Sequence, residues 1–491
     1  MLDKINLKAT LGKNEYQDRM DVLVKRLARI QVKLIDLKIP VVILFDGWSA
    51  AGKGTLISSA LAALDPRHFK VHSMEKVTEE QFHRPFLWSY AVRMPAAGKI
   101  AIFDKSYYMA LVPDSGMIRK FKKDNSGVYY DIRSFEQQLL DGGNIVLKYF
   151  IHISREEQSR RFKELTRSDD TRWRVTEKDT EQNAEYAKNY KLFNEIFENS
   201  KDCPAKWTLL NGTDKRIAAL EFYEHITDRL TQEIKMKEAG INKRDRIGFN
   251  SVEKIPDILG AVDLTKNISD ERYSRLMKQY QQQVSVQVYK LYKHRRSVVI
   301  VYEGWDASGK GGNIKRLTQE MDPRGYDVNP VAAPTAQELS QHYLWRFWKG
   351  MPKDGHMTIF DRSWYGRVLV ERVEGFCSED DWRGAYQEIN DMEQHLHRHG
   401  VMIIKFWLHI SRDEQLARFK ARMEEPSKQH KICDEDWRNR EKWDEYYVAI
   451  NEMLHKTSTS YAPWLIVESE SKKFARIKVL EHVSKILSKE L

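Results

Sequence analysis

The chain has 491 residues, and 81 Lys and Arg against 71 Asp and Glu give a formal net charge of +10. Hydrophobic residues make up 41% and charged residues 31%, which excludes a mainly disordered chain. Three scattered cysteines without a CxxC spacing argue against a disulfide framework or a structural zinc site. No signal-peptide pattern and no long apolar run are visible, so we expect a cytoplasmic protein without membrane association.

A repeat with a constant offset of 257 residues organises the chain. VVILFDGWSAAGKG from Val41 matches VVIVYEGWDASGKG from Val298, and His152-Ile-Ser-Arg matches the same four letters from His409. Landmarks that keep one offset over such a span indicate a tandem duplication. We therefore expect three parts, which are a first copy over residues 1–235, a linker over 236–269 and a second copy over 270–491.

The first predicted element of each copy is an amphipathic helix, followed by a short buried strand. In the first copy Leu23, Leu27, Ile30 and Leu34 recur at three- and four-residue steps, the helical period. In the linker, apolar residues are expected to pack on a domain surface; they are Ile255, Ile258, Leu259 and Val262.

Strands and helices alternate through the second copy. Such alternation predicts βαβ units, a parallel sheet flanked by helices and thus an α/β fold. Ligands bind beyond the carboxyl ends of the strands in sheets of this kind, so the chemistry should follow Tyr302, Phe360 and His409. The predicted strands are Val298 to Tyr302, Asp327 to Asn329, Met357 to Phe360, Val401 to His409 and Trp464 to Val467.

A glycine-rich loop of the form GxxxxGK follows the first strand of the second copy. Between a strand and a helix, this motif (the P-loop, or Walker A motif) turns backbone N–H groups toward phosphate oxygens. The lysine, Lys310, is expected to reach the phosphates, and a glycine-rich turn that binds nothing is the disfavoured alternative. The phosphate-binding candidates of the loop are Gly304, Ser308, Gly309, Gly311 and Gly312.

The loop departs from the common motif at the position that usually binds magnesium. Gly311 stands where a Ser or Thr hydroxyl normally coordinates Mg²⁺. Two carboxylates, Asp306 inside the loop and Asp361 at the end of a predicted strand, are the candidate metal ligands. An alternative role for Asp361 is to cap the following helix.

Arginines follow the predicted strands that end at Phe360 and His409. Arg362 and Arg367 come directly after Asp361, and a guanidinium binds phosphate oxygens bidentately. A solvated helix face is the alternative, above all for Arg372. A basic helix and a polar stretch further on are typical of a phosphotransferase lid, in which each residue could equally be solvated surface. Additional phosphate or nucleotide contacts are expected from Arg346, Arg418, Arg422 and Lys431.

The first copy acts as an internal control for these assignments. It keeps the loop lysine, Lys53, and the strand-terminal Asp104. Other site positions differ, which indicates catalysis by the second copy and a structural, regulatory or polyanion-holding role for the first. The replacements are Ser49 for Asp306, Lys105 for Arg362, Ala110 for Arg367 and Ser89 for Arg346.

Six motifs of the second copy, in order, resemble the polyphosphate kinase type 2 family. They are EGWDASGKGGNIKRL from Glu303, DPRGYDV from Asp322, YLWRFW from Tyr343, FDRSWYGRVLVERV from Phe360, HISRDEQLARFKARMEEP from His409 and TSTSYAPW from Thr457. The resemblance implies two tandem P-loop kinase domains related to thymidylate kinase, each with a helical lid, of which the first is degenerate. Fused members of the family act as polyphosphate:AMP phosphotransferases.

Site roles also follow from this resemblance. It implies catalytic roles for Asp306, Lys310, Asp361, Arg362 and Arg367, and makes Glu371 a further candidate. It also implies dependence on Mg²⁺, with Mn²⁺ as a substitute. It further implies a lid contact at His430 and Lys431, where the first copy has Trp173-Arg174.

Several functional alternatives remain open from the sequence. The partners implied are AMP or ADP and inorganic polyphosphate, with no nucleic acid and no membrane, and a homo-oligomer is left open. An ATP-dependent nucleotide kinase, a kinase for another acceptor, and a non-catalytic polyphosphate-binding regulator are the alternatives. If polyphosphate binds the second copy, we expect the net positive charge to concentrate around its phosphate loop and lid.

Overall fold

The structure, a computed structural model, describes residues 1–74, 77–113, 115–117, 125–240, 254–429 and 432–491. The chain forms two units, each built on a five-stranded parallel sheet flanked by helices. Most of the first half of the chain, together with Thr335–Trp345, forms one unit, and most of the second half, together with His83–Pro85, forms the other. The α/β class expected from the alternating pattern is confirmed.

The first half of the chain begins with the predicted amphipathic helix, and all four of its periodic residues are buried. Its strands are Val41–Gly47 (β1), Phe69–Ser73 (β2), Ile100–Asp104 (β3), Ile145–His152 (β4) and Trp207–Asn211 (β5). Its helices are Lys13–Asp36 (α1), Lys53–Ala62 (α2), Glu79–Phe82 (α3), Trp88–Ala91 (α4), Ser126–Asp141 (α5), Arg155–Thr166 (α6), Asp169–Arg172 (α7), Glu177–Ala184 (α8), Tyr186–Asn199 (α9) and Lys215–Glu238 (α10).

The second half of the chain repeats this order of strands, with all five predicted strands present. They are Ser297–Gly304 (β6), Tyr326–Pro330 (β7), Met357–Asp361 (β8), Val401–His409 (β9) and Trp464–Glu468 (β10). The helices are Asp270–His294 (α11), Lys310–Thr318 (α12), Ala336–Leu339 (α13), Trp345–Lys349 (α14), Val370–Val373 (α15), Glu379–His399 (α16), Arg412–Glu424 (α17), Asp434–Glu441 (α18), Trp443–Thr457 (α19) and Lys472–Glu490 (α20).

Both sheets have the same strand order. It is β2-β3-β1-β4-β5 in the first unit and β7-β8-β6-β9-β10 in the second. The central strand β6 pairs in parallel with β8, where Tyr302 lies opposite Asp361, and with β9, where Gly304 lies opposite Leu408. The register therefore brings the phosphate loop after β6 and the Asp361-Arg362 pair after β8 to one edge of the sheet.

The second sheet is anchored in a buried apolar cluster. Strands β6, β8 and β9 are buried along nearly their whole length, as expected when helices cover a parallel sheet. Side chains of α11, α12 and α20 pack against them; they include Val288, Leu291, Ile314, Leu317, Val479 and Val483. This packing gives the loop that follows β6 a rigid base.

The repeat extends into the segment expected to be a linker. Asn194 on α9 accepts hydrogen bonds from the Met1 amino group at 2.7 Å and the Leu2 N–H at 3.1 Å. At the same offset of 257, Asn451 on α19 accepts from the N–H groups of Ile258 and Leu259, at 2.9 and 3.0 Å. Leu2 and Leu259 are both buried. Each unit therefore has an equivalent segment packed on it before its first long helix, around Leu2 in the first unit and around Leu259 in the second, and we call this segment the strap.

In the part of the chain that the structure describes, no helix is both long enough and apolar enough to cross a bilayer.

Candidate active site

The P-loop of the second unit has the backbone conformation of an anion-binding loop. Gly304, with φ of 153°, and Gly309, with φ of 105°, occupy regions that favour glycine. A Cβ atom at Gly304 would lie 2.6 Å from the Leu408 carbonyl oxygen, so no larger residue fits. Ala307, with φ of 62°, holds a left-handed conformation that costs an L-residue about 1 kcal/mol.

Arg418 supports this strained loop from behind. Its Nη1 donates to the carbonyl oxygens of Ala307 and Ser308 at 2.9 and 3.0 Å. Nη2 donates to those of Ser469 and Glu470, and Nε donates to the Glu414 carboxylate at 2.6 Å. The N–H groups of the buried guanidinium thus donate hydrogen bonds to oxygen atoms of the protein. This geometry favours a structural role for Arg418, which holds the loop in place, rather than the expected contact with phosphate.

Lys310 opens α12 with its ammonium group folded back on the loop. The Nζ atom donates to the carbonyl oxygens of Gly304 at 2.7 Å and Trp305 at 3.2 Å. Burial, followed by the like charge of Arg362, lowers the pKa of Lys310, while Asp306 and other carboxylates oppose the shift. An anion placed against this ammonium would favour its charged form.

The Asp306 carboxylate joins three segments of the unit. One oxygen, Oδ1, accepts from Arg362 Nη2 at 2.9 Å, and the other, Oδ2, accepts from Asn439 Nδ2 at 2.9 Å. The Asp306 carbonyl oxygen accepts from Gln415 Nε2 at 3.2 Å. The structure therefore brings together Asp306, Arg362 and Lys310, as the sequence predicted, and adds Asn439 and Gln415.

Asp361 and Arg362 lie where β8 ends. The Arg362 N–H donates to the Tyr302 carbonyl oxygen at 3.0 Å, and its φ of 64° turns the chain at the strand end. Burial opposes the Arg362 charge, but Asp306 and the buried Glu303 outweigh it and raise the pKa of the guanidinium. In the described residues no side-chain hydrogen bond or ion pair engages the Asp361 carboxylate, and Ser363 caps the following turn instead.

The remaining arginines of the second cluster make separate contacts. Arg367 pairs with Glu371 at 2.9 Å, one helical turn further on. Arg346 donates to the Ala332 carbonyl oxygen at 2.9 Å. Arg372, for which a solvated face was the alternative, instead donates to the Tyr386 hydroxyl at 3.0 Å and pairs with Glu452 at 2.7 Å. Arg372 is thus part of the framework beneath the site.

The expected lid is described only in part. Arg422 is half-buried on α17, and Lys431, with the neighbouring His430, lies outside the described residues. Two further helices, α18 and α19, follow that segment and carry residues that no sequence pattern indicated. They are Asn439, Tyr446 and Trp443, whose contacts join α18 and α19 to the P-loop. No motif signals such contacts, because the partners lie more than 130 residues apart.

The P-loop of the first unit keeps its shape but has different contacts. Gly47, Ala50 and Gly52 have φ angles of 150°, 58° and 102°, close to those of the second loop. Arg161 makes the same set of hydrogen bonds as Arg418, with Nη1 on Ala50 and Ala51 and Nη2 on Gly212 and Thr213. At the position of Asp306, however, the Ser49 N–H donates to the Gln182 side-chain oxygen at 2.9 Å.

The sheet order and the P-loop that follows its central strand define a P-loop kinase fold in both units. A model of the polyphosphate kinase 2 (PPK2) family matches residues 10–238 and again residues 267–491. The chain belongs to this family and is an enzyme, which confirms the resemblance found in the motifs.

Individual relatives match over nearly the full chain. The polyphosphate:AMP phosphotransferase of Pseudomonas aeruginosa is 35% identical, covering 99% of this chain and 98% of that protein. The protein of the same description from Acinetobacter johnsonii is also 35% identical, with 96% of each chain covered. A crystal structure of polyphosphate kinase 2 from Pseudomonas aeruginosa has a TM-score of 0.85 and 32% identity, covering 100% of this chain and 99% of that one.

The expectation that the net positive charge concentrates in the second copy is wrong. Lys and Arg outnumber Asp and Glu by a larger margin in residues 1–235 than in residues 270–491. At the second site itself the cations are matched by carboxylates, Arg362 by Asp306 and Arg367 by Glu371. The overall charge therefore does not locate this site.

Proposed function

We propose that the second unit transfers the terminal phosphoryl group of inorganic polyphosphate to AMP and forms ADP. The observation that carries this proposal is the pair of cations, Lys310 and Arg362, assembled around Asp306 at the carboxyl edge of the sheet. Two adjacent cations above a P-loop suit a chain of phosphates. AMP as the acceptor is supported by the names of relatives that match almost the whole chain.

The chemistry requires positioning more than proton transfer. An oxygen of the AMP phosphate, already ionised at neutral pH, attacks the terminal phosphorus of polyphosphate. The new P–O bond forms as the bond to the penultimate phosphate breaks, and the electron pair leaves on the shortened polyphosphate. Lys310 and Arg362 would neutralise the charge on the transferring group and the leaving chain. Asp306 is already engaged through both oxygens, which favours an orienting role over that of a base.

A magnesium ion fits the residues that are present. In the described parts of the chain no three His, Cys, Asp or Glu side chains could together hold a metal. Mg²⁺ bound to phosphates needs only one or two protein carboxylates, and Asp361 and Asp306 would supply them. Bound there, the ion would neutralise phosphate charge during transfer, and Mn²⁺ would serve as a substitute.

We further propose that the first unit, residues 1–235, does not catalyse this transfer. It lacks the carboxylate of Asp306 and the arginines at positions 362 and 367 of the second copy. Its Gln182 side chain occupies the N–H of Ser49 within the loop. Because the first unit keeps the shape of the P-loop but lacks these side chains, a structural or polyanion-holding role is supported.

An acceptor panel tests the proposed activity. Purified protein is incubated with polyphosphate and Mg²⁺, without ATP, and with AMP, ADP or GMP in parallel, and the nucleotides are separated by chromatography. We expect ADP from AMP, loss of the reaction with excess EDTA, and recovery with Mg²⁺ or Mn²⁺. ADP formation that requires ATP in place of polyphosphate, or no ADP with any divalent metal, would refute the proposal.

A further inference from the structure

Two side chains from different parts of the second unit fix the carboxylate of Asp306. Arg362 holds Oδ1 and Asn439 holds Oδ2, each at 2.9 Å. Arg362 belongs to the motif after β8, whereas Asn439 lies on α18 and belongs to no motif recognised in the sequence. Because an ionised carboxylate can only accept hydrogen bonds, Asn439 must present its amide nitrogen to Asp306.

Tyr446 on α19 sets the orientation of that amide. Its hydroxyl donates to Asn439 Oδ1 at 3.2 Å. Tyr446 is buried, and burial raises the pKa of its hydroxyl above the usual value, so it remains a donor at neutral pH. With its oxygen held by Tyr446, the Asn439 amide can offer only its NH₂ group to the carboxylate.

A second pair of contacts links α18 to the backbone of Asp306 through Gln415 on α17. Gln415 Nε2 donates to the Asp306 carbonyl oxygen at 3.2 Å, and Arg440 Nη1 donates to Gln415 Oε1 at 3.2 Å. Asn439 and Arg440 are neighbours on α18. The position of α18 is therefore coupled to both the main chain and the side chain of Asp306.

The first unit has lost all three members of this arrangement. Ser49, Gln182 and Asn189 stand at the positions of Asp306, Asn439 and Tyr446. The Gln182 amide is used in the reverse sense, because its oxygen accepts from the Ser49 N–H at 2.9 Å and from Gln158 Nε2 at 3.0 Å. Where Ser49 replaces the aspartate, neither the asparagine nor the tyrosine that fixes its amide is present.

We infer that Asn439, with its amide fixed by Tyr446, is a positioning residue that orients the Asp306 carboxylate for phosphoryl transfer. The inference rests on the proposed function of the second unit. The orientation of the Asp306 carboxylate in the P-loop then depends on the position of α18, which follows the lid segment in the chain.

Substitution of Asn439 by leucine tests this role at similar side-chain volume. We expect Asn439→Leu to lower kcat for ADP formation about 10- to 100-fold, the usual effect of losing a residue that orients a functional carboxylate. Tyr446→Phe, which frees the amide to rotate, should lower kcat by a smaller factor. Gln182→Leu in the first unit is the matched control and should leave kcat unchanged.

Three measurements separate positioning from structural damage. Thermal unfolding should show that Asn439→Leu remains folded at the assay temperature, and kcat should fall more than the KM for polyphosphate changes. A crystal structure of the variant, which needs no turnover, should show the Asp306 carboxylate turned from its original orientation. An unchanged carboxylate, wild-type kcat, or a loss that follows the folded fraction overturns the inference. Wild-type protein that makes no ADP overturns the proposed function instead.

Discussion

Trp305 and Trp443 stack face to face in the second unit, with ring centroids 3.6 Å apart and planes 6° from parallel. Trp305 lies in the P-loop, where its indole N–H also donates to His409 Nδ1 at 3.0 Å. Trp443 begins α19, the helix that carries Tyr446. The stack therefore fixes the loop against the helix that organises the Asp306 contacts.

Loss of this stack should reduce both stability and activity. Trp443→Ala removes a buried ring, and we expect the free energy of unfolding to fall by about 3–5 kcal/mol. The first unit supplies the matched variant, because Tyr186 stacks on Trp48 there at 4.0 Å and 10°. Trp443→Tyr should thus retain most of the stability, as measured by urea unfolding. Equal losses in the two variants would contradict a stacking role.

The two P-loop lysines should differ in their effect on activity. We expect Lys310→Ala to lower kcat at least about 100-fold, the usual effect of removing a donor to transition-state charge. Lys53→Ala should stay within about twofold of wild type, because its unit lacks the remaining site residues. Initial rates of ADP formation from AMP and polyphosphate measure both. Near-full activity of Lys310→Ala would show that the second unit does not catalyse the reaction.

The two arginines behind the P-loops should instead have equivalent effects on stability. Arg161→Ala and Arg418→Ala each leave four carbonyl oxygens without their side-chain donor. We expect each to lower the free energy of unfolding by about 1–3 kcal/mol, the cost of leaving a hydrogen-bond partner unsatisfied. Only Arg418→Ala should also lower kcat, because only its loop carries the residues that we propose to be catalytic. Stability is read from urea unfolding, and a stable, inactive Arg418→Ala would assign this arginine to substrate contact.

Acidification should destabilise the fold through His409. Burial lowers the pKa of His409 to about 4, whereas a histidine in an unfolded chain titrates near 6.5. Between these values the unfolded chain binds a proton that the folded chain does not, so stability falls as the pH falls, by about 1.4 kcal/mol per pH unit. Above pH 6.5 or so this contribution is complete.

Urea unfolding at several pH values checks this expectation. His409→Gln, which keeps an acceptor for the Trp305 indole N–H, should reduce the slope of stability against pH between about 4 and 6.5. His152, whose pKa burial also lowers to about 4, continues to contribute in the first unit. An unchanged slope in His409→Gln would mean that this ring is protonated normally in the folded protein.

The fold was largely predictable from the sequence because its signals are local. Strand β6, the glycine turn and the helix from Lys310 follow one another in the chain, and each copy repeats them. Parallel pairing then brings Asp361 and Arg362 to the loop, since carboxyl ends of parallel strands share an edge. The strap around Leu259 was missed as part of the repeat, because Leu2 and Leu259 share too few identical neighbours to reveal the offset.

The site was predicted less completely, because side-chain geometry decides the roles. The spacing of Arg418 does not reveal whether its guanidinium faces substrate or the back of the loop. Asn439 and Tyr446 act across helices that no motif links to Asp306. Polar residues that orient a catalytic group are recognised by their partners, and a single sequence does not list those partners.

A guanidinium behind each loop maintains the loop's shape independently of the residues proposed to act on phosphate. Arg161 contacts the strained Ala50 in a unit that has Ser49, Lys105 and Ala110 in place of Asp306, Arg362 and Arg367. The residues proposed to face phosphate are therefore not the ones that maintain the loop. An engineer could vary positions 306, 362 and 367 to seek new acceptors or donors while the scaffold beneath them stays intact.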